Sequence, residues 1–220
     1  MPRWSAFCRI AFGALAAVAL GVVGYRAATG PVGVPDFFGY FTTLSSIAAV
    51  AVLLLGGWAG LTGGRPVPPV VRGAVVLCTT VTGLVYGLGV ASYPGEVVLP
   101  WAGQVLHRVV PVVMLADWLV DPPARRIRLL PALGAWLAFP LLYLGCTLIR
   151  GAVTDWYPYA FLDPALPRGY ERVAGACFLT TCGFALVGAA LVWSGNLASE
   201  RRAAWTGTRP GPGRAPARPT

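Results

Sequence analysis

Six long apolar runs alternate with short polar segments along the chain. They lie at about residues 7–25, 37–61, 70–91, 101–120, 130–149 and 173–193. A transmembrane helix needs about 20 mostly apolar residues, so each run is long enough to cross a bilayer. Proline and glycine cluster between the runs, which is typical of loops. The pattern predicts an all-α polytopic membrane protein, a bundle of six transmembrane helices that forms one domain over residues 1–195.

The two ends of the chain carry different signals. Arg3 and Arg9 lie before and at the start of the first apolar run, as in a signal peptide, but the run is long for one and five more follow. We therefore expect an uncleaved first helix. After residue 195 the sequence becomes rich in arginine, proline and glycine and has no periodicity. We expect residues 196–220 to form a disordered cytoplasmic tail.

Composition points to the membrane as well. The chain is 56% hydrophobic and 11% charged, whereas a soluble domain averages about 25% charged residues. A water-soluble domain is thereby excluded. The net charge of +9 would suit nucleic acid, but all 17 basic residues are arginines, and apart from Arg108 in the fourth run they divide between the two sides of the predicted bundle. We interpret them as determinants of membrane topology and expect no nucleic-acid partner.

The arginines divide unequally between the two sides of the predicted bundle. With the N-terminus inside, twelve fall on the inner side: Arg3, Arg9, Arg65, Arg72, Arg125, Arg126, Arg128, Arg201, Arg202, Arg209, Arg214 and Arg218. Four fall on the outer side: Arg26, Arg150, Arg168 and Arg172. Cytoplasmic loops carry the excess of positive charge, so both termini are predicted to be cytoplasmic in a multi-pass plasma-membrane protein.

The five cysteines lie within apolar runs, at Cys8, Cys78, Cys146, Cys177 and Cys182. They lack the CxxC and Cys/His spacings of disulfide frameworks and zinc sites. We interpret them as small buried apolar side chains and expect no metal and no cofactor.

Polar residues inside the apolar runs are the functional candidates, because they are costly in a bilayer. The single histidine, His107, lies in the fourth run and Arg108 follows it. The second run opens with a group of hydroxyl residues: Thr42, Thr43, Ser45 and Ser46. At 1.5 Å per residue, Thr42 lies about 8 Å and His107 about 9 Å from the outer ends of their helices. The equal depth predicts that they can meet.

A hydroxyl beside a neutral imidazole favours acyl chemistry. The imidazole takes the hydroxyl proton, and the oxygen attacks an acyl carbon. Arg108 would hold a carboxylate or stabilise an oxyanion. Alternatively, the hydroxyls bond to carbonyls of their own helix and His107 bonds across helices. Thr43 and Ser45 remain rivals of Thr42 as the nucleophile.

Two further residues of the fourth run carry local predictions. Pro111 cannot donate to the carbonyl of His107, so we expect a kink at the histidine and an open acceptor there. Asp117 lies about 15 Å deeper than His107, close to the inner interface. We expect Asp117 to pair with Arg125 or Arg126 in the following loop.

The loop between the fifth and sixth runs is rich in aromatic residues and contains Tyr157 and Asp163. One interpretation is an aromatic belt at the membrane interface. The other is a lid over Thr42 and His107, in which Tyr157 and Asp163 contact the substrate.

Several segments together resemble a known family. They are Tyr40–Ser46, His107–Pro111 with Asp117-Trp118, Pro140–Tyr143, Leu148–Gly151, and Tyr157–Asp163 with Gly169-Tyr170. Their order and spacing over roughly residues 5–195 resemble the bacterial Pr-six-Pr six-helix membrane family. More distantly, they are similar to the androgen-induced (FAR-seventeen-a-like, ADTRP-like) membrane proteins.

The resemblance implies a specific chemistry. The eukaryotic members hydrolyse fatty acid esters of hydroxy fatty acids with an intramembrane threonine and a histidine, and the matching positions are Thr42 and His107. The bacterial pattern has Gln and Asn where this chain has Leu44 and Ser46.

The leading hypothesis is an intramembrane lipid-ester hydrolase that takes its substrate from the membrane lipid. Thr42 is the predicted nucleophile and His107 the base. The predicted substrate-binding residues are Arg108, Ser45, Ser46, Tyr157 and Asp163. The alternatives are a small-solute transporter or permease, and a non-catalytic membrane scaffold. A permease predicts a polar path through the bundle, for which the third, fifth and sixth runs offer few residues.

Overall fold

Most of the described part of the chain is helical. The structure, a computed structural model, describes residues 3–88 and 100–205, and it is 83% helical with no strand in that part. The helices are α1 (Arg3–Thr29), α2 (Val34–Phe37), α3 (Phe41–Thr62), α4 (Pro69–Gly87), α5 (Pro100–Val120), α6 (Leu129–Thr154) and α7 (Gly169–Trp205). All except the short α2 are long and apolar enough to cross a membrane. The predicted all-α, six-span membrane fold is confirmed.

The boundaries differ from the predicted ones where short polar features intervene. The second span begins at Phe41 rather than near residue 37, because Val34–Phe37 forms the separate helix α2 with Pro35 in its first turn. The last helix continues to Trp205, so the prediction of a tail starting at residue 196 is wrong for residues 196–205. Residues 206–220 and 89–99 lie outside the described part of the chain.

Side chains on the last turns of α7 bind the loop between α5 and α6. The Asn196 side chain accepts from the Ile127 backbone N–H at 2.8 Å and donates to the Ile127 carbonyl at 3.0 Å. The Ser199 hydroxyl donates to the Pro123 carbonyl at 2.7 Å. Residues 196 and 199 lie on one helix face, so α7 has a polar partner there after its apolar run has ended.

The core is centred on α4, which contacts α3, α5, α6 and α7. Trp118 and Trp136 are buried and meet edge to face, with ring centroids 5.8 Å apart. The Trp118 indole N–H donates to the Leu191 carbonyl and the Trp136 N–H to the Val70 carbonyl. Since a bilayer offers no water to these N–H groups, internal acceptors keep both rings in place.

Charged side chains cluster at the end of the bundle where the termini lie, called here the termini end. Arg9 contacts Asp117 at 2.6 Å and Asp121 at 2.9 Å. Arg72 and Arg202 each contact Asp121 at 3.0 Å. The cluster joins α1, α4 and α7 to the end of α5, and its buried charges are compensated by opposite charges.

The predicted pairing of Asp117 with Arg125 or Arg126 is therefore wrong. Both of those arginines are exposed. The antiparallel arrangement brings the beginning of α1 to the end of α5, so that Arg9 reaches Asp117 first.

The cysteines are all unpaired thiols, and only Cys78 is buried within the protein. The prediction of burial thus fails for the other four, which face partly or fully outward. In a membrane-spanning bundle an outward face meets lipid, where a small apolar side chain is equally suitable.

Candidate functional site

Two cavities meet at Tyr40, Thr42 and His107, near the end of the bundle opposite the termini, called here the distal end. Cavity 1 has a volume of about 280 Å³ and cavity 2 of about 260 Å³, and all three residues line both. The structure thus brings the predicted nucleophile and base to the same place. Thr42 lies in the first turn of α3, whereas His107 lies in the middle of α5, and the two helices meet there.

The position of Thr42 in its helix leaves its hydroxyl available. Thr79, Thr82 and Thr181 each donate to the carbonyl four residues earlier in their helices. Thr42 is the second residue of α3, so no helical turn precedes it to offer such a carbonyl. Thr42 therefore cannot form the alternative interaction considered above, a hydrogen bond from its hydroxyl to a carbonyl of its own helix.

The neighbouring hydroxyls have other surroundings. The Ser45 hydroxyl donates to the Thr42 carbonyl at 3.1 Å and lies 3.4 Å from the Thr82 hydroxyl. Ser45 and Ser46 are each 1% exposed and line neither cavity. Thr43 is buried and lines cavity 2 only. Both serines thus lie inside the bundle, Ser45 at the α3–α4 contact, and neither lies where we expected it to touch a substrate.

His107 is held by its backbone turn and by two neighbours. It lies in a π-helical turn, Val105–Val109, within α5. Its Nδ1 lies 3.0 Å from the Gly103 carbonyl oxygen, an acceptor, so Nδ1 carries the proton and Nε2 has the free lone pair. The ring stacks on Tyr86. This tautomer is the one a general base needs at Nε2.

The π-helical turn lies where Pro111 led us to predict a kink at the histidine. The turn ends directly before the α-helical segment that contains Pro111, and such turns are frequent at functional sites. Gly83 of α4 packs against this point. A methyl group on Gly83 would lie 2.8 Å from the Cβ of Pro111 and 3.2 Å from the His107 carbonyl oxygen, so only glycine allows the approach.

Cavity 1 is an apolar space between α3, α4, α5, α6 and α7. Its walls include Phe41, Val81, Val85, Leu137, Leu144, Ala176 and Phe184. Leu141 on α6 and Leu179 on α7 line it too, although they are 47% and 70% exposed on the outside of the bundle. The cavity therefore opens sideways, toward the surface that faces lipid in a membrane-spanning bundle.

Cavity 2 has more polar walls and a different opening. It lies between the end of α1, the following turn, the start of α3 and the π-helical turn. Arg26, Thr29 and Thr43 line it, together with apolar residues such as Val23 and Ala27. Arg26 and Thr29 are exposed, so cavity 2 opens at the distal end of the bundle.

The loop that follows α6, residues 155–163, covers the junction of the cavities and is called here the lid loop. The Tyr159 hydroxyl accepts the Phe41 backbone N–H at 3.0 Å, directly before Thr42. Trp156 packs edge to face on Tyr40 at 5.7 Å. Arg150 lies 4.2 Å from the Trp156 ring centroid. These contacts fasten the loop to the start of α3.

The predicted lid residues do not reach the cavities. Tyr157 packs against Gly151, where a Cβ would collide with its ring. The Asp163 carboxylate accepts the Ala165 N–H at 2.8 Å. Tyr159 and Phe161 of the same loop line cavity 1 instead. The sequence located the loop, but the turn at Ala160–Leu162 decides which of its side chains point inward.

Arg108 likewise lies outside both cavities. It is exposed, and its guanidinium lies 5.7 Å from the Tyr86 ring centroid, a cation–π contact. The arginine that lines a cavity is Arg26, which sequence reasoning had assigned to topology alone. Tyr86 was also missed, because nothing in its local sequence marks it as the neighbour of His107.

The chemical groups at the junction are one hydroxyl, one imidazole and one phenol. Within residues 3–88 and 100–205, no group of three His, Cys, Asp or Glu side chains is placed to hold a metal ion. No protein-family model, no curated protein and no solved structure matches the chain. The function is therefore inferred from the residues of the site itself.

Proposed function

We propose that the protein is an intramembrane hydrolase of lipid esters, with Thr42 as the nucleophile and His107 as the general base. The observation that carries the proposal is that Thr42 and His107 line the same two cavities, one of which is apolar and opens toward lipid. An ester bond at the junction would have room for an acyl chain on one side. The family that the sequence resembles implies the same pair of residues.

The geometry supports a two-step acyl transfer. Nε2 of His107 accepts the Thr42 proton while Gly103 holds Nδ1, and the Thr42 oxygen attacks the ester carbonyl. The leaving alcohol then takes the proton. The first backbone N–H groups of a helix have no intrahelical partner and carry partial positive charge. Those of Thr42 and Thr43, in the first turn of α3, are the donors we assign to the oxyanion.

Thr42 is a better candidate than its neighbours. The Ser45 hydroxyl already bonds to the Thr42 carbonyl and lines neither cavity. Thr43 lines cavity 2 but not the apolar cavity 1. Only Thr42 among these hydroxyl residues borders both spaces, which is what an ester with two substituents requires.

We further propose that the termini face the cytoplasm and that the site lies in the outer leaflet of the plasma membrane. The support is the excess of arginine at the termini end, in accord with the positive-inside rule. The substrate would enter sideways from lipid between α6 and α7, past Leu141 and Leu179.

Labelling with an alkyl fluorophosphonate in isolated membranes tests the proposal. The wild-type protein and Thr42→Ser are expected to be labelled, and Thr42→Ala and His107→Ala are not. Thr43→Ala and Ser45→Ala are the matched controls and should keep the label. An unlabelled wild type, or equal labelling of Thr42→Ala, would refute the assignment.

A further inference from the structure

Cavity 2 also borders Thr42, and its role in the proposed reaction has not yet been assigned. The inference about that role rests on the proposed hydrolase function. An ester has an acyl side and an alcohol side. His107 gives a proton to the leaving alcohol in the first step and takes one from water in the second. Both exchanges occur at the same Nε2, so the leaving alcohol and the incoming water occupy one place. That place must differ from the one that holds the acyl chain.

The walls of the cavities distinguish these two places. Cavity 1 is lined mainly by apolar side chains and opens beside Leu141 and Leu179 toward lipid, which suits a hydrocarbon chain and excludes water. Cavity 2 presents the Arg26 guanidinium and the hydroxyls of Thr29 and Thr43. The guanidinium and the Thr43 hydroxyl can donate to an oxygen-bearing ligand, whereas the Thr29 hydroxyl donates to the Tyr25 carbonyl at 2.9 Å and can accept.

The two cavities also open in different directions. Arg26 and Thr29 are exposed at the distal end of the bundle, where a membrane protein meets the headgroups and water. His107 is 7% exposed and lines both cavities, so any water that reaches it must pass through a cavity. Cavity 2 has the more polar walls of the two and opens beside the exposed Arg26 and Thr29.

We propose that cavity 2 is the alcohol-side site, and that it serves as the water channel of the second step. It first holds an alcohol half that bears hydrogen-bond acceptors. After this alcohol leaves, water enters by the same route. The water oxygen bonds to the acyl carbon, its proton passes to Nε2 of His107, the bond from the acyl carbon to the Thr42 oxygen breaks, and the proton returns to that oxygen. The products are the fatty acid and the enzyme with the Thr42 hydroxyl restored.

A matched pair of substitutions on α1 tests this division. Ala27 is 6% exposed and lines cavity 2, whereas its neighbour Ala28 is exposed. Ala27→Leu fills cavity 2, and Ala28→Leu adds the same atoms outside it. With p-nitrophenyl palmitate, whose nitrophenol is the leaving alcohol, we expect Ala27→Leu to lower both the initial burst rate and the steady-state rate about 10-fold relative to Ala28→Leu. Labelling by a long-chain fluorophosphonate, which loses only fluoride, should be equal in the two variants.

A second pair on α7 should distinguish the two cavities, because filling cavity 1 also slows labelling by the long-chain probe. Ala176 lines cavity 1, and Ala174 is exposed on the same helix. Ala176→Leu is expected to slow the burst, and the labelling by a long-chain fluorophosphonate, relative to Ala174→Leu. Equal hydrolysis rates in Ala27→Leu and Ala28→Leu, or loss of fluorophosphonate labelling in Ala27→Leu, would overturn the inference.

Water access can be measured without catalysis. Thr43→Cys places a thiol in cavity 2 and Thr181→Cys places one in cavity 1. A cationic methanethiosulfonate reagent should modify Thr43→Cys at least about 10-fold faster, because only a hydrated thiol ionises and reacts readily. Equal rates contradict the water channel. An unlabelled wild type in the fluorophosphonate assay overturns the proposed hydrolase itself, so the two failures are distinct.

Discussion

The imidazole of His107 stacks on the ring of Tyr86, with the ring centroids 4.4 Å apart and the planes 22° from parallel. Together with the bond between Nδ1 and the Gly103 carbonyl, the stack fixes both the tilt and the rotation of the imidazole. A base fixed in this way has little to reorganise when it accepts the Thr42 proton, which is the advantage of preorganised catalytic groups.

Replacing Tyr86 should therefore affect the chemical step. Tyr86→Leu removes the flat surface under the imidazole, and we expect kcat for ester hydrolysis to fall about 10- to 100-fold, as for other small misplacements of a catalytic group. Tyr86→Phe keeps the surface and should retain most of the activity. Steady-state kinetics on an activated ester measures both. Equal kcat in Tyr86→Leu and wild type would show that the stack does not position the base.

The lid loop should contribute to stability through Tyr159. Tyr159→Phe removes the hydroxyl that accepts the Phe41 N–H, at a cost of about 1 kcal/mol. Tyr170→Phe is the control, since Tyr170 is 78% exposed. Thermal unfolding in detergent should show a lower midpoint for Tyr159→Phe only. If both variants unfold like wild type, the bond to Phe41 contributes nothing measurable.

The charged cluster at the termini end should be the most sensitive structural feature. Asp121→Asn leaves the arginines around it without that partner, and breaking such a buried group by removing one member costs about 3–5 kcal/mol. Glu200→Gln is the control, an exposed acid at the same end. Unfolding monitored by tryptophan fluorescence should separate the two variants. A small effect of Asp121→Asn would mean that water compensates Arg9 and Arg72.

The same aspartate predicts the response to acid. Burial of Asp121 opposes its ionisation, but the hydrogen bonds from Arg9 and Arg202 and the charge of Arg72 outweigh this and lower its pKa. Its contribution to stability is complete above the ordinary aspartate pKa and is lost as the pH falls through the lowered value. Unfolding midpoints measured across the acidic range should fall in wild type, and less steeply in Asp121→Asn. Parallel curves would assign acid sensitivity to other carboxylates.

A salt bridge should hold the lid loop from the other side. Arg150 contacts Asp36 at 2.5 Å while its guanidinium packs on Trp156. The pair is partly exposed, so each of Arg150→Gln and Asp36→Asn should cost less than about 1 kcal/mol. The larger effect should be faster amide hydrogen exchange in residues 155–163. Exchange that remains slow in both variants would show that the aromatic contacts alone hold the loop.

Thr42 and His107 line the same cavities, as their similar depth along two spans suggested, although one premise of that estimate was wrong. Helix α3 starts at Phe41, so Thr42 lies in the first turn rather than well inside a helix. The short helix α2 and the turn after it take the place of the residues that were predicted to begin the second span. Hydropathy does not distinguish such a short helix from the start of a span, because both are apolar.

The spacing of residues along α3 did not predict which of them border the cavities. Thr42, Ser45 and Ser46 share a helix face by their spacing, yet only Thr42 lines the cavities. Residues of this face have different neighbours within one helical turn, because Thr42 borders the cavities whereas Ser45 contacts Thr82 of α4. Spacing defines a face of a helix but not which neighbour that face meets.

The sequence by itself determined the class of protein, the number of spans and the two candidate catalytic residues. Those properties depend on apolar length and on the scarcity of polar groups in a bilayer, which are local and countable. The tertiary structure decided the partners: Arg9 for Asp117, Tyr86 for His107, and Arg26 rather than Arg108 beside a cavity. Partners of this kind come from helices distant in sequence. Their choice depends on helix rotation and packing, which the pattern of residues along the chain does not specify.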